Sequence, residues 1–223
     1  MYQLLVTVWV ALCALIVSGA PTVDVNNGIT WDPNLSWEIE PSPGAPPITL
    51  NGTVETVYAK LKEINPNYDE DWKDVKKREA EQGSSILDKR IAHDVECFFR
   101  PHYGVHDKTV LKNIEKLRDV TGTVELPGGP NRCARVSCVD KGAIFWCNDD
   151  SKKLPSYNNL ADGVMIILDH CKGRIDPNSG KKFAAGQLNH NDKWRVGLIT
   201  DDWECHDGAP SSGFDSGIPG IPM

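Results

Sequence analysis

The chain has 223 residues, 40% hydrophobic and 25% charged, which excludes a collagen-like or wholly disordered polypeptide. Against 31 acidic residues stand 24 basic ones, for a net charge of −7. Without a basic excess there is no electrostatic footprint for a polyanion, so nucleic acid is not expected as a partner.

Residues 4–17, LLVTVWVALCALIV, form an apolar run shorter than the roughly 20 residues of a membrane-spanning helix. Ser18, Gly19 and Ala20 follow as the small residues of a signal-peptidase site. Residues 1–20 therefore read as a secretory signal peptide, and no later segment reads as a membrane span. The product is expected to be secreted and extracellular.

Residues 21–90 carry no cysteine and form the more acidic part of what remains. Pro, Asn and Gly dominate 21–50, including PSPGAPP at 41–47, so an extended or disordered stretch is expected there. Two sequons, Asn34-Leu35-Ser36 and Asn51-Gly52-Thr53, mark Asn34 and Asn51 as glycan acceptors. Val54, Val57, Tyr58, Leu61 and Ile64 then fall at helical spacing and stop before Pro66. Residues 69–82 are dense in charge and read as solvated helix or coil. At most, the one apolar stripe of this half docks on the cysteine-bearing half. Lys89-Arg90 closes the segment as the dibasic site of a furin-like processing protease, whose acidic subsites take two adjacent cations; Lys76-Lys77-Arg78 is a second candidate. The expected organisation is a signal peptide (1–20), a partly disordered pro-segment with one amphipathic helix (21–90), a cysteine-rich mature domain (91–205) and a disordered tail (206–223). Sugars on Asn34 and Asn51 would then leave with the pro-segment.

The mature segment holds Cys97, Cys133, Cys138, Cys147, Cys171 and Cys205, an even number that in an oxidising compartment implies three disulfides. Zinc-ribbon and zinc-finger spacings are missing, and no metal or other cofactor is expected. Val110, Leu111, Ile114 and Leu117 share a face of a helix over 108–119, with Asp107 as its N-cap. Residues 133–139 and 143–148 read as a hairpin around Asp-Lys-Gly. A second helix over 158–171, capped by Ser156, turns Leu160, Val164, Ile167, Leu168 and Cys171 inward. Residues 183–188 and 194–200 read as another hairpin. The fold class is α+β: a two-layer sandwich in the order α-β-β-α-β-β, with two helices on a four-stranded antiparallel sheet, stapled by disulfides.

A two-residue turn makes Phe145 the partner of Cys138 and leaves Cys147 diagonal, at roughly 7–8 Å where a bridge needs about 3.8 Å between Cβ atoms. A three-residue turn puts the two on opposite faces. A local Cys138–Cys147 bridge is thus disfavoured. Long-range bridges are expected, tying Cys97, the end of the second helix and Cys205 onto the sheet.

The motifs Cys-Ala-Arg-Val-Ser-Cys (133–138), Ala-Ile-Phe-Trp-Cys-Asn-Asp (143–149), Asn-Asn-Leu-Ala-Asp-Gly (158–163) and Gly-Gln-Leu-Asn-His-Asn-Asp-Lys-Trp-Arg-Val (186–196), with Cys205, resemble a family of small secreted cysteine-rich candidate effectors of filamentous ascomycete fungi. The dibasic pair before the first mature cysteine and residues 52–68 resemble the same family. The resemblance implies a cysteine-stapled α/β shape similar to fungal killer toxins and necrosis-inducing effectors, and a protein that acts on a host or microbial protein or glycan. It carries over no catalytic motif. The stretch after Cys205 is longer than the family's usual ending.

Two other chemistries compete. Phe-Arg-Pro-His-Tyr-Gly (99–104) resembles the Pro-His-Tyr of small fungal guanyl-specific ribonucleases, and His102 with His190 would be the acid/base pair of such a hydrolase. Trp203, between acidic groups, is the candidate contact of a cell-wall glycan-binding module. His102 and His106 are four apart, but Pro101 and Gly104 place them in a loop. The acidic pairs Asp149-Asp150 and Asp201-Asp202 read as solvated strand ends.

Overall fold

Two antiparallel hairpins make the centre of the fold. The computed structural model describes residues 22–24, 29–78, 94–97, 104–150, 152–154, 156–172, 174–175, 182–200 and 205. Residues 1–20, Lys89-Arg90 and residues 206–223 lie outside the described residues. In chain order the strands are β1 (Thr22–Asp24), β2 (Ile29–Trp31), β3 (Ser36–Ile39), β4 (Ile48–Asn51), β5 (Asp94–Cys97), β6 (Val105–His106) and β7 (Thr123–Leu126). They continue with β8 (Arg132–Val139), β9 (Gly142–Asn148), β10 (Lys152–Leu154), β11 (Arg174–Ile175), β12 (Lys182–Ala184), β13 (Gly186–His190) and β14 (Trp194–Thr200). The helices are α1 (Val54–Ile64), α2 (68–78), α3 (Asp107–Arg118) and α4 (Asn158–Cys171).

Asp140-Lys141 joins β8 to β9, with φ of 48° and 65°. Two consecutive left-handed residues are what a two-residue hairpin turn with the natural twist requires. This turn sets Cys138 opposite Ala143, not Phe145. The ladder slips by one residue between Arg135 and Ser137. An unbroken register from Val139 opposite Gly142 would put Cys133 opposite Asn148; the bulge puts it opposite Cys147 instead.

The chain is mixed α/β with three disulfides, but the sheet is wider than expected. The four anticipated strands are the middle of a seven-stranded sheet, β1-β2-β8-β9-β14-β13-β5, antiparallel except where β2 runs parallel to β8. The expected strand over 183–188 is divided: β12 belongs to a three-stranded sheet, β11-β12-β6, and β13 to the large one. A four-stranded sheet, β10-β7-β3-β4, completes the fold.

Helices α3 and α4 pack on one face of the large sheet and against each other. Val110, Ile114 and Leu117 are buried, whereas Leu111, expected on the same face, is 47% exposed. Asn113 takes a fully buried place on that face. The N-cap is His106, held extended by pairing with Phe183; Asp107 is the first helical residue and its Oδ1 accepts the Lys108 amide at 2.9 Å. On α4 the inward set is as expected, but the N-cap is Tyr157 rather than Ser156; Ser156 lies one residue earlier, and its hydroxyl accepts the Asn158 amide at 3.1 Å. Gly163 lets α4 lie close to β14, because a Cβ there would stand 2.6 Å from Val196 Cγ1.

The cysteine-free half departs most from expectation. Residues 29–51 hold three strands, and β3 lies between β4 and β7, with Ser36, Trp37 and Glu38 opposite Glu125, Val124 and Thr123. Seven side chains of this half are buried in the same core as α3 and α4: Leu35, Trp37, Ile39, Val54, Val57, Leu61 and Tyr68. Ile64, at the end of the stripe, is 53% exposed. The segment is therefore much more than one docked helix. Each large apolar side chain so buried stabilises by roughly 1.5–3 kcal/mol.

Polar contacts fix the register of that packing. Glu55 Oε1 on α1 accepts the Ser137 hydroxyl at 2.6 Å and the Cys138 amide at 3.2 Å, next to the bulge. The Tyr68 hydroxyl accepts the Thr121 amide at 2.9 Å and pairs with Thr121 Oγ1 at 3.0 Å, in a buried setting. Tyr68→Phe leaves that amide without an acceptor. It is expected to cost about 1–3 kcal/mol, read as a lower denaturation midpoint with unchanged slope.

Candidate functional surface

Cross-strand pairs in an antiparallel sheet share a face, so the registers define what lies opposite the helices. One row runs Arg135, Phe145, Gly197, Gln187, Glu96 across five strands. A second runs Trp31, Cys133, Cys147, Arg195, Asn189, Asp94. Trp31, Cys133, Phe145, Cys147 and Ile199 form a second, smaller apolar cluster there. Trp31 meets the Phe145 ring edge-to-face at 6.2 Å.

The disulfides divide between the two faces. Cys133–Cys147 and Cys138–Cys205 lie on the outer face, the second fastening the chain beyond β14 onto β8. Cys97–Cys171 joins β5 to the end of α4 on the inner side. Cys97, the helix end and Cys205 are thus tied down as expected. The correction is Cys133–Cys147, a bridge within the hairpin over 14 residues of sequence. The bulge in β8 creates it, and no spacing rule anticipates a bulge.

The charged groups around this face are built into the structure. Arg195, 8% exposed, donates from Nη1 to Asp149 Oδ2 at 3.0 Å and from Nη2 to Asn131 Oδ1 at 2.7 Å. Asp149 Oδ1 accepts the Asn131 amide at 2.9 Å, closing the clamp beside Cys133–Cys147. Burial lowers the Arg195 pKa while Asp149 opposes the shift. Asp149, expected as a solvated strand end, is instead part of this clamp. Asp32 is buried and meets Arg132 Nε at 3.1 Å. On the helical side, Arg118 Nη2 donates to Asp162 Oδ1 at 2.9 Å; burial raises the Asp162 pKa against the pull of Arg118.

His190 is occupied by its own turn. Its ring stacks on Trp194 with centroids 4.4 Å apart, and Nδ1 accepts the Asp192 amide at 3.1 Å. Trp194, Val196 and Leu198 are buried, and so is Trp146. His106 sits at the start of α3, with Nδ1 3.4 Å from the Lys182 carbonyl. His102, Trp203, Asp201 and Asp202 lie outside the described residues. Among the described residues no group of three His, Cys, Asp or Glu side chains could hold a metal, and no helix is long and apolar enough to cross a membrane.

Asn34 and Asn51 are both exposed. Ser36, the third residue of the first sequon, is the cross-strand partner of Asn51, and the Gly52 amide donates to the Leu35 carbonyl at 3.1 Å. The two sequons, distant in sequence, thus meet at one end of the β3–β4 hairpin.

A charge cluster joins α1 and α2. Asp69 accepts the Tyr58 hydroxyl at 2.6 Å, Lys62 at 3.0 Å and Lys76 at 2.9 Å. Partial burial would raise the Asp69 pKa, but these donors outweigh it and hold the carboxyl far below the usual range. Tyr58 is pushed well above its ordinary range, by burial first and then by donating to Asp69. A carboxylate with a depressed folded pKa stabilises above its unfolded value, and that contribution is lost as pH falls through the folded one. Asp69→Asn is therefore expected to be less stable than the parent near neutral pH. The difference in denaturation midpoint narrows as pH falls from about 4 to about 2.

No protein-family model, no curated protein and no solved structure matches the chain.

Proposed function

We propose that the chain is a secreted, disulfide-stapled protein of the effector or toxin-like class. After dibasic processing at Lys89-Arg90 it acts by binding a protein or glycan of a host or a competing microbe. The observation that carries the reading is the disulfide framework: all six cysteines after residue 20 are bridged. Bridges persist in an oxidising compartment, in keeping with the apolar leader and the small residues that follow it. The sequence resemblance to fungal cysteine-rich effectors supports the same class.

The test is to express the full chain with its leader in a fungal host and to weigh the medium fraction under denaturing, non-reducing conditions. The reading expects no free thiols and a cut after Arg90. Applied to host tissue and to competing microbes, the oxidised protein should give a response that reduction and alkylation abolish. Retention in the cytosol, free thiols in the secreted chain, or RNA cleavage that His102→Ala removes would overturn it.

A further inference from the structure

The dibasic site divides the chain between two parts that share one core. On the N-terminal side, Trp37 and Ile39 of β3 and Val54, Val57 and Leu61 of α1 are buried among Val124, Leu126, Tyr157 and Leu160 of the C-terminal side. The Trp37 and Tyr157 rings are 5.2 Å apart. β3 supplies one edge of β7 with hydrogen-bonding partners, and β2 does the same for β8. A Cβ at Gly122 would stand 2.4 Å from the Glu38 carbonyl oxygen, so the two backbones are in direct contact. Buried and half-buried polar groups pair across the same boundary: Tyr68 with Thr121, Glu55 with Ser137 and the Cys138 amide, Asp32 with Arg132.

We infer that cleavage after Arg90 produces a two-piece protein rather than a free C-terminal domain. Residues 21–90 remain bound as a non-covalent subunit, seated on β7, β8, α3 and α4. The inference rests on the dibasic-processing reading and changes its consequence. The cut removes a covalent link but none of the contacts between the two parts. Removing the piece would expose the apolar side of β7 and α4 to water, which opposes release. The glycan acceptors Asn34 and Asn51 then stay with the working protein instead of being discarded. Because residues 21–90 contain no cysteine, no disulfide can hold the piece; the interface alone does.

The experiment takes the secreted full-length protein, cut after Arg90 by a Lys-Arg-specific processing protease. A parallel variant carries an unrelated specific protease site in place of residues 84–90, cut after folding. Both are subjected to gel filtration and native mass spectrometry at micromolar concentration. The inference expects one species containing both pieces, which separate on a denaturing gel without reductant. In the variant, adding Trp37→Ala should weaken association by about a hundredfold or more, since the core contact with Tyr157 is lost at the interface. Separation of the pieces in native buffer, with the C-terminal piece monomeric and cooperatively folded, would overturn it. If Lys89-Arg90 resists cleavage in the secreted protein, the processing reading falls; the variant still decides whether the pieces hold together.

Discussion

Replacing Trp37 with alanine is expected to lower the stability of the intact chain by about 3–5 kcal/mol. The side chain is fully buried, lies against Tyr157, and donates from Nε1 to the Gly52 carbonyl at 2.7 Å. Truncation leaves a cavity between β3 and α4 and strands that carbonyl. Against a total of about 5–15 kcal/mol for a typical domain, the loss should show as a large drop in denaturation midpoint and in secreted yield. A pro-segment that merely rides along would leave the midpoint of the C-terminal region where it was.

The second large effect belongs to Cys97–Cys171. It closes a loop of 74 residues and fastens β5, an edge strand, to the end of α4. Loop entropy alone assigns such a bridge about 4 kcal/mol, and about 3 kcal/mol to the 14-residue loop of Cys133–Cys147. The double replacement Cys97→Ala with Cys171→Ala should therefore destabilise more than Cys133→Ala with Cys147→Ala. Thermal unfolding of the two variants beside the parent reads the difference. The reverse order would mean that the β8–β9 bulge depends on its bridge more than the edge strand depends on its own.

Elements with a local signal are legible in the sequence. Helices α3 and α4 follow from apolar residues at helical spacing, and the strands around residues 140 and 192 from alternation broken by turn residues. Shifts of one residue arise where tertiary pairing displaces a local preference, as when pairing of His106 with Phe183 moves the cap off Asp107. The larger departure is the cysteine-free half. Ser-Trp-Glu-Ile at 36–39 alternates as a half-buried strand should, with Trp37 and Ile39 buried and Glu38 exposed. That signal is masked by the Pro-rich run at 41–47, which is the loop of a hairpin and not the start of disorder. Its partner is β7, where Ser36 pairs with Glu125 across 89 residues of sequence, beyond the reach of any local pattern. The bridge Cys133–Cys147 is hidden for a related reason, since one inserted residue in β8 reverses which cysteine faces which.

The two halves share one core, and the expected effect of Trp37→Ala depends on it. The most direct measurement is denaturant unfolding of a secreted chain that starts at Ile91, followed by tryptophan fluorescence and near-ultraviolet circular dichroism beside the full chain. The predicted result is a product without a cooperative transition, its near-ultraviolet signal largely lost, because the core of the C-terminal part no longer contains Trp37, Leu61 and Tyr68. A chain from Ile91 that secretes well, forms three disulfides and unfolds cooperatively at the midpoint of the full-length protein would contradict it.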